Sequence, residues 1–196
     1  RVKQQLAVSR KIVIVTHHKP DGDAMGASLA LNDYLKSNRH NVSVIVPSDY
    51  PDFLKWLPGD DGVVNFEKSV SKAEALIADA EIIFVLDFNE PGRVENMEPA
   101  LRKSGAFKIM IDHHLKPDSF CNLTFSYTEA SSTCELVYRF VKAIDDGYKL
   151  TLAFSENIYV GIMTDTGSFR FSSTTGDVHR IIADLLDAGV KPHHIH

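Results

Sequence analysis

Short apolar runs rich in β-branched residues alternate along the chain with longer stretches in which apolar residues recur at helical spacing. The runs predict strands at residues 11–16, 42–46, 82–86, 107–111 and 122–127. The longer stretches predict helices at about residues 24–37, 69–78, 94–103, 132–144, 151–163 and 176–188. Strands that are apolar throughout are buried on both faces. The pattern therefore predicts an α/β fold, a doubly wound, mostly parallel five-stranded sheet with helices on both faces.

Composition limits the function classes. The chain has 196 residues, of which 44% are hydrophobic and 24% charged, so it is not mainly disordered. No apolar run approaches the roughly 18 residues of a membrane-spanning helix. The net charge of −5 argues against a broad basic groove for long nucleic acids. Only Cys121 and Cys134 are present, without CxxC spacing or a secretory signal, which favours a reducing, cytoplasmic location without membrane association.

Histidine and aspartate residues cluster where the predicted strands end and in one later segment. The members are His17, Asp21, Asp23, Asp87, Asp112, His113, His114 and Asp165. The carboxyl ends of parallel strands meet at one edge of a sheet, where ligands bind, so these side chains are expected to lie close together. An aspartate after a strand often only caps a helix or forms a turn. The same feature in four separate segments favours one shared site over four coincidences.

The residue types in this cluster indicate a metal centre. Imidazoles and carboxylates without a thiolate argue against structural zinc and suit Mn²⁺, Fe²⁺, Co²⁺ or Zn²⁺ more than Mg²⁺. Six candidate ligands are enough for two divalent ions if one carboxylate bridges them: His17, Asp21, Asp23, Asp87, His113 and Asp165. Paired ions of this kind are typical of phosphoester hydrolysis.

The segments HHKPDGDA (17–24), DHH (112–114) and GIMTDTGSF (161–169), with Asp87 at a strand end, resemble the motifs of the DHH phosphoesterase superfamily. The flanking sequence is most similar to the bacterial oligoribonuclease/pAp phosphatase branch (nanoRNases), which includes exopolyphosphatase-related and RecJ-like proteins. This resemblance implies metal-dependent hydrolysis of short 5′-phosphorylated oligonucleotides, of 3′-phosphoadenosine 5′-phosphate (pAp), or of both. The alternatives are an inorganic pyrophosphatase or exopolyphosphatase, a RecJ-type single-strand exonuclease, and a catalytically silent nucleotide-binding module.

The resemblance also implies a role for each strand-end residue around two Mn²⁺ ions, with Mg²⁺ or Co²⁺ as alternatives. The implied ligands are His17 and Asp21 on one ion, Asp23, His113 and Asp165 on the other, and Asp87 bridging both. His114 would face the scissile phosphate as an electrostatic stabiliser or acid. Asp112 would orient one of the two neighbouring histidines.

Relatives in this superfamily continue through a linker into a smaller domain with a glycine-rich substrate-binding motif. We therefore expect a DHH catalytic domain over residues 1–190, a linker that begins at 191–196, and little activity without the second domain. The expected partners are a nucleotide or short single-stranded oligonucleotide and, in addition, a second copy of the chain. Arg170 and Ser132 are weaker candidates for substrate contact. A surface arginine and a helix cap are the favoured alternatives, although the helix start at 131–133 is also suited to holding an anion.

Overall fold

A single parallel sheet of six strands forms the centre of the structure, a computed structural model that describes residues 1–195. The strands are β1 (Lys11–Val15), β2 (Asn41–Val46), β3 (Val64–Asn65), β4 (Ile82–Leu86), β5 (Phe107–Asp112) and β6 (Leu123–Ser126). Their order is β3-β2-β1-β4-β5-β6, so the chain winds outward in both directions from β1 and β4. The predicted doubly wound α/β fold is confirmed. The sheet has one strand more than predicted, because β3 pairs with β2 through only two residues, too few for an alternating pattern.

The six predicted helices are present close to their predicted positions, and two short helices near the ends of the described chain were not predicted. They are α1 (Val2–Gln5), α2 (Gly22–Ser37), α3 (Val70–Asp79), α4 (Glu98–Lys103), α5 (Thr133–Ile144), α6 (Leu152–Asp165), α7 (Gly176–Asp187) and α8 (Pro192–Ile195). The stretch predicted as one helix at 94–103 is divided, since a 3₁₀ segment at Pro91–Met97 precedes α4 and Glu95 has a φ of 47°. Within residues 1–195, no helix is both long enough and apolar enough to cross a bilayer. His196, the last residue of the expected linker start, lies outside the described residues.

Alternate residues of the central strands enter two different hydrophobic cores. On β1, Ile12 and Ile14 join the core beneath α2, α5, α6 and α7, whereas Val13 and Val15 join the core beneath α3 and α4. The residues of β4 divide in the same way, and all five are buried. Successive side chains of a strand point to opposite faces, so a continuous apolar run fits a sheet that is covered on both sides.

Glycines allow α2, α5 and α6 to approach one another closely. A Cβ atom at Gly26 of α2 would lie 2.4 Å from the carbonyl oxygen of Asn157. A Cβ atom at Gly161 of α6 would lie 2.1 Å from Cys134 Sγ of α5 and 2.9 Å from Asp23 Oδ1. Neither position tolerates a side chain without movement of its neighbours. This close packing brings Asp23, near the start of α2, against the start of α5.

Candidate metal centre

All six predicted ligands converge at the carboxyl edge of the sheet. His17 follows β1, Asp87 follows β4 directly, and His113 follows β5. The start of α2 contributes Asp21 and Asp23, and the last residue of α6 is Asp165. Asp87 is in the left-handed backbone region with φ 64°, which aspartate tolerates better than most residues. Parallel topology thus joins residues that are distant in sequence, as predicted.

His17, Asp21 and Asp87 form one group of candidate ligands. Its Nε2 lies 3.5 Å from Asp87 Oδ2 and 4.0 Å from Asp21 Oδ2. The other ring nitrogen, Nδ1, lies 2.8 Å from the carbonyl oxygen of His18, and a carbonyl only accepts, so Nδ1 carries the proton. Nε2 is then the nitrogen available for a metal ion. The three side chains offer ligand atoms within 4.8 Å of one another.

A second group of candidate ligands consists of Asp23, His113 and Asp165. Its Nε2 lies 3.4 Å from Asp165 Oδ2, 3.8 Å from Asp23 Oδ2 and 3.6 Å from Asp87 Oδ1. Asp87 therefore presents one carboxylate oxygen to the His17 group and the other to the His113 group. A carboxylate that bridges two ions needs this arrangement.

His114 differs from His113 in its contacts. Its Nδ1 donates to Asp112 Oδ1 at 2.7 Å, and Asp112 is fully buried at the end of β5. The hydrogen bond to Asp112 raises the pKa of His114. His114 Nδ1 is also 3.8 Å from Asp87 Oδ1, and Asp87, His113 and His114 form a third set with ligand atoms within 4.8 Å. Asp112 is thus hydrogen-bonded to His114, whereas the sequence left open which neighbouring histidine it contacts.

Burial and mutual repulsion determine the electrostatics of the carboxylates. Burial, with the charges of Asp87 and Asp165, raises the pKa of Asp23 well above its usual value. Burial, with the charges of Asp87 and Asp21, raises the pKa of Asp165 to about 7. Burial acts in the same direction on Asp87, but His17 and His113 outweigh it and lower its pKa. Divalent cations would relieve this repulsion, so the donor set fits metal ions of the class inferred from the sequence.

The first turn of α5 supports two of these carboxylates. Backbone N–H groups of Thr133 and Cys134 donate to Asp23 Oδ2 and Oδ1 at 2.6 and 2.8 Å. The Thr133 hydroxyl lies 2.8 Å from Asp87 Oδ1. The anion held by this helix start is therefore a carboxylate of the chain itself. Sequence reasoning missed this role of Thr133, because a run of hydroxyl residues before a helix indicates only a cap or an anion site.

The two weaker candidates have local partners. Ser132 is fully buried, and its hydroxyl accepts from the backbone N–H of Glu135 at 3.0 Å as the cap of α5. The side chain of Glu135 accepts from the backbone N–H of Ser131 at 2.7 Å, one residue earlier than in a standard capping box. Arg170 is exposed, and its Nε donates to the carbonyl oxygen of Gly167 at 2.7 Å. Ser132 therefore has the contacts of a helix cap, and Arg170 has those of a surface arginine.

Comparison with known proteins finds a matching family and similar proteins. Residues 11–162 match the DHH family, N-terminal domain. The chain is 34% identical over 185 residues to the bifunctional oligoribonuclease and PAP phosphatase NrnA of Thermus thermophilus, covering 94% of this chain and 52% of that protein. The chain therefore spans about half the length of the curated relatives it matches.

Two solved structures share the fold. An exopolyphosphatase-related protein from Bacteroides fragilis is 42% identical with a TM-score of 0.96, over 99% of this chain and 57% of that one. The exonuclease RecJ bound to manganese is 14% identical with a TM-score of 0.56, over 94% of this chain and 46% of that one. At that low identity, the likeness to RecJ concerns the fold alone.

Proposed function

Because the chain belongs to the DHH family, we propose that it is the metal-binding half of a phosphoesterase acting on short 5′-phosphorylated oligonucleotides and on pAp. The observation that carries this proposal is the position of Asp87, whose two carboxylate oxygens face two separate ligand groups. The name of the Thermus thermophilus relative supports the substrate class. The net charge of −5 fits small nucleotides better than long nucleic acids.

Two divalent ions, for which we propose Mn²⁺, fit the ligand groups of the site. His17, Asp21 and Asp87 would hold one ion, and Asp87 with the group Asp23, His113 and Asp165 would hold the other. When bound, such a pair supplies an activated water and neutralises the charge of the attacked phosphate. The mixed imidazole and carboxylate donors of both groups, without a thiolate, suit Mn²⁺.

His114 is proposed to act on the substrate. Asp112 accepts the Nδ1 proton of His114, which leaves Nε2 as the ring nitrogen that is able to reach a phosphate. The raised pKa of His114 favours its charged form. A charged imidazole neutralises a phosphate oxygen or donates a proton to the leaving oxygen. We propose that the second domain of the full-length protein closes the cleft opposite this residue.

The first experiment measures product release by the full-length protein from pAp, a 5′-phosphorylated dinucleotide and inorganic pyrophosphate, in Mn²⁺ and in EDTA. We expect Mn²⁺-dependent cleavage of the two nucleotides and none of pyrophosphate. Cleavage of pyrophosphate alone would overturn the substrate class while keeping the metal centre. Cleavage that persists in EDTA would overturn the metal-dependent mechanism.

Replacing the bridging carboxylate tests the centre itself. Asp87→Asn preserves the size of the side chain but removes its charge, and we expect the kcat for pAp to fall about 1,000-fold or more, since metal charge contributes several kcal/mol. Asp61→Asn, a matched change at an exposed aspartate, should leave kcat unchanged. Undiminished turnover in Asp87→Asn would refute the bridging role.

A further inference from the structure

Thr133 contacts both buried carboxylates that lie deepest in the candidate metal centre. Its backbone N–H donates to Asp23 Oδ2 at 2.6 Å, and its hydroxyl lies 2.8 Å from Asp87 Oδ1. A carboxylate accepts, so the hydroxyl is the donor. Thr133 is fully buried, as is Asp23, and Asp87 is 2% exposed. One residue therefore contacts two side chains, one at the end of β4 and the other at the start of α2, which lie 46 and 110 residues earlier in the chain.

The orientation of the Asp87 carboxylate is not set by its own backbone. The last torsion of an aspartate side chain is broad, with no sharp rotamer. The bridging geometry nevertheless needs Oδ1 toward His113 and Oδ2 toward His17. An external donor must hold the carboxylate in that rotation.

The Thr133 hydroxyl, at 2.8 Å, lies closer to the Asp87 carboxylate than any of the three neighbouring imidazoles. The nearest imidazole nitrogens, on His17, His113 and His114, lie 3.5, 3.6 and 3.8 Å away. These distances suit an ion between the groups better than a direct hydrogen bond. The hydroxyl of Thr133 does not compete for the same position, because it uses one lone pair of Oδ1 and leaves the other.

We propose that Thr133 is a positioning residue, whose hydroxyl holds the Asp87 carboxylate in the rotation that serves both metal sites. This inference rests on the metal centre of the proposed function and adds to it a residue outside the ligand set. Because Thr133 is fully buried, we assign it no contact with substrate. Partners that orient a metal ligand contribute 10- to 100-fold to metal affinity in characterised metalloproteins.

The test compares two substitutions in the full-length protein. Thr133→Val keeps the shape and the backbone N–H but removes the hydroxyl, whereas Thr133→Ser keeps the hydroxyl. Mn²⁺ alone is titrated and the free ion is followed by electron paramagnetic resonance. We expect Thr133→Val to weaken Mn²⁺ binding roughly 10- to 100-fold, and Thr133→Ser to retain affinity within about threefold of the wild type. Thr124→Val, at an exposed threonine of β6, is the matched control.

The outcomes separate this inference from the proposed function. Wild-type Mn²⁺ affinity in Thr133→Val would overturn the positioning role, and so would an equal loss in the valine and serine variants, which would indicate packing of α5 instead of the hydroxyl. Circular dichroism and thermal unfolding in EDTA check that each variant is folded. Failure of the wild type to hydrolyse nucleotides would refute the proposed function, while the role of Thr133 would still be decided by Mn²⁺ affinity.

Discussion

Asp112 and His114 form a hydrogen-bonded pair next to the candidate metal ligands. Asp112 is fully buried and accepts one hydrogen bond from His114 on Oδ1. Its Oδ2 is buried as well and has no partner within residues 1–195. An unpartnered buried oxygen is destabilising, which makes a purely structural role for this carboxylate a poor explanation. Its effect on His114, a raised pKa, is the property that a catalytic imidazole needs.

Asp112→Asn tests this pair. The amide keeps the size of the side chain but removes the negative charge, so the pKa of His114 should fall toward its ordinary value. Activity that needs charged His114 is lost as pH rises through that pKa. We therefore expect the alkaline limb of the kcat profile to move to lower pH, with kcat reduced about 10- to 100-fold near neutrality. An unchanged profile from pH 5 to 9 would show that His114 does not act as a charged group.

An element of the fold was predictable from the sequence where its residues follow a periodic or a continuous apolar pattern. β4 is apolar throughout and β1 is apolar after Lys11, and burial on both faces explains this pattern. The two residues of β3 have no period, and their pairing depends on the neighbouring strand β2. Strand ends also pointed to three of the candidate ligands, because parallel topology places His17, Asp87 and His113 at one edge of the sheet. Thr133 could not be found in this way, since its role depends on a contact with Asp87 that sequence spacing does not encode.

The packing of α6 against α2 and α5 gives a prediction for stability. Gly161→Ala would place a methyl group 2.1 Å from Cys134 Sγ, and such overpacking costs about 1–3 kcal/mol or more, which exceeds the gain of about 1 kcal/mol from the helix preference of alanine. We expect a lower free energy of unfolding in a urea titration. Gly62→Ala is the control, because no atom lies within 4 Å of its new methyl group. Equal stability of the two variants would contradict the close packing.

At the scale of the whole molecule, the candidate metal centre makes the free energy of unfolding depend on pH. Because the pKa of Asp165 is about 7 in the folded chain, against an ordinary value of 3.8, the proton on this group stabilises the metal-free fold. That contribution is complete below the ordinary pKa and is lost as pH rises through about 7. A bound cation replaces the proton, so metal affinity should increase over the same range.

Metal removal checks this link. At a Mn²⁺ concentration of about 100 times the Kd, binding adds roughly 2.7 kcal/mol to the free energy of unfolding. We expect Mn²⁺ to raise the Tm relative to EDTA, and the rise to be larger at pH 8 than at pH 6. Thermal unfolding followed by circular dichroism measures both. A larger rise in Tm at pH 6 than at pH 8 would contradict a raised pKa of Asp165.

The spread of the ligands along the chain, from His17 to Asp165, has a consequence for the order of folding. No single hairpin or helix pair contains a complete ligand group, so the centre forms only after β1, β4 and β5 have paired and α6 has docked on α2. Such distant contacts form late, since chain closure must come first. The complete two-ion centre is therefore absent from a partly folded chain. Ions bound to the complete centre are expected to slow unfolding of the native protein more than they speed its formation.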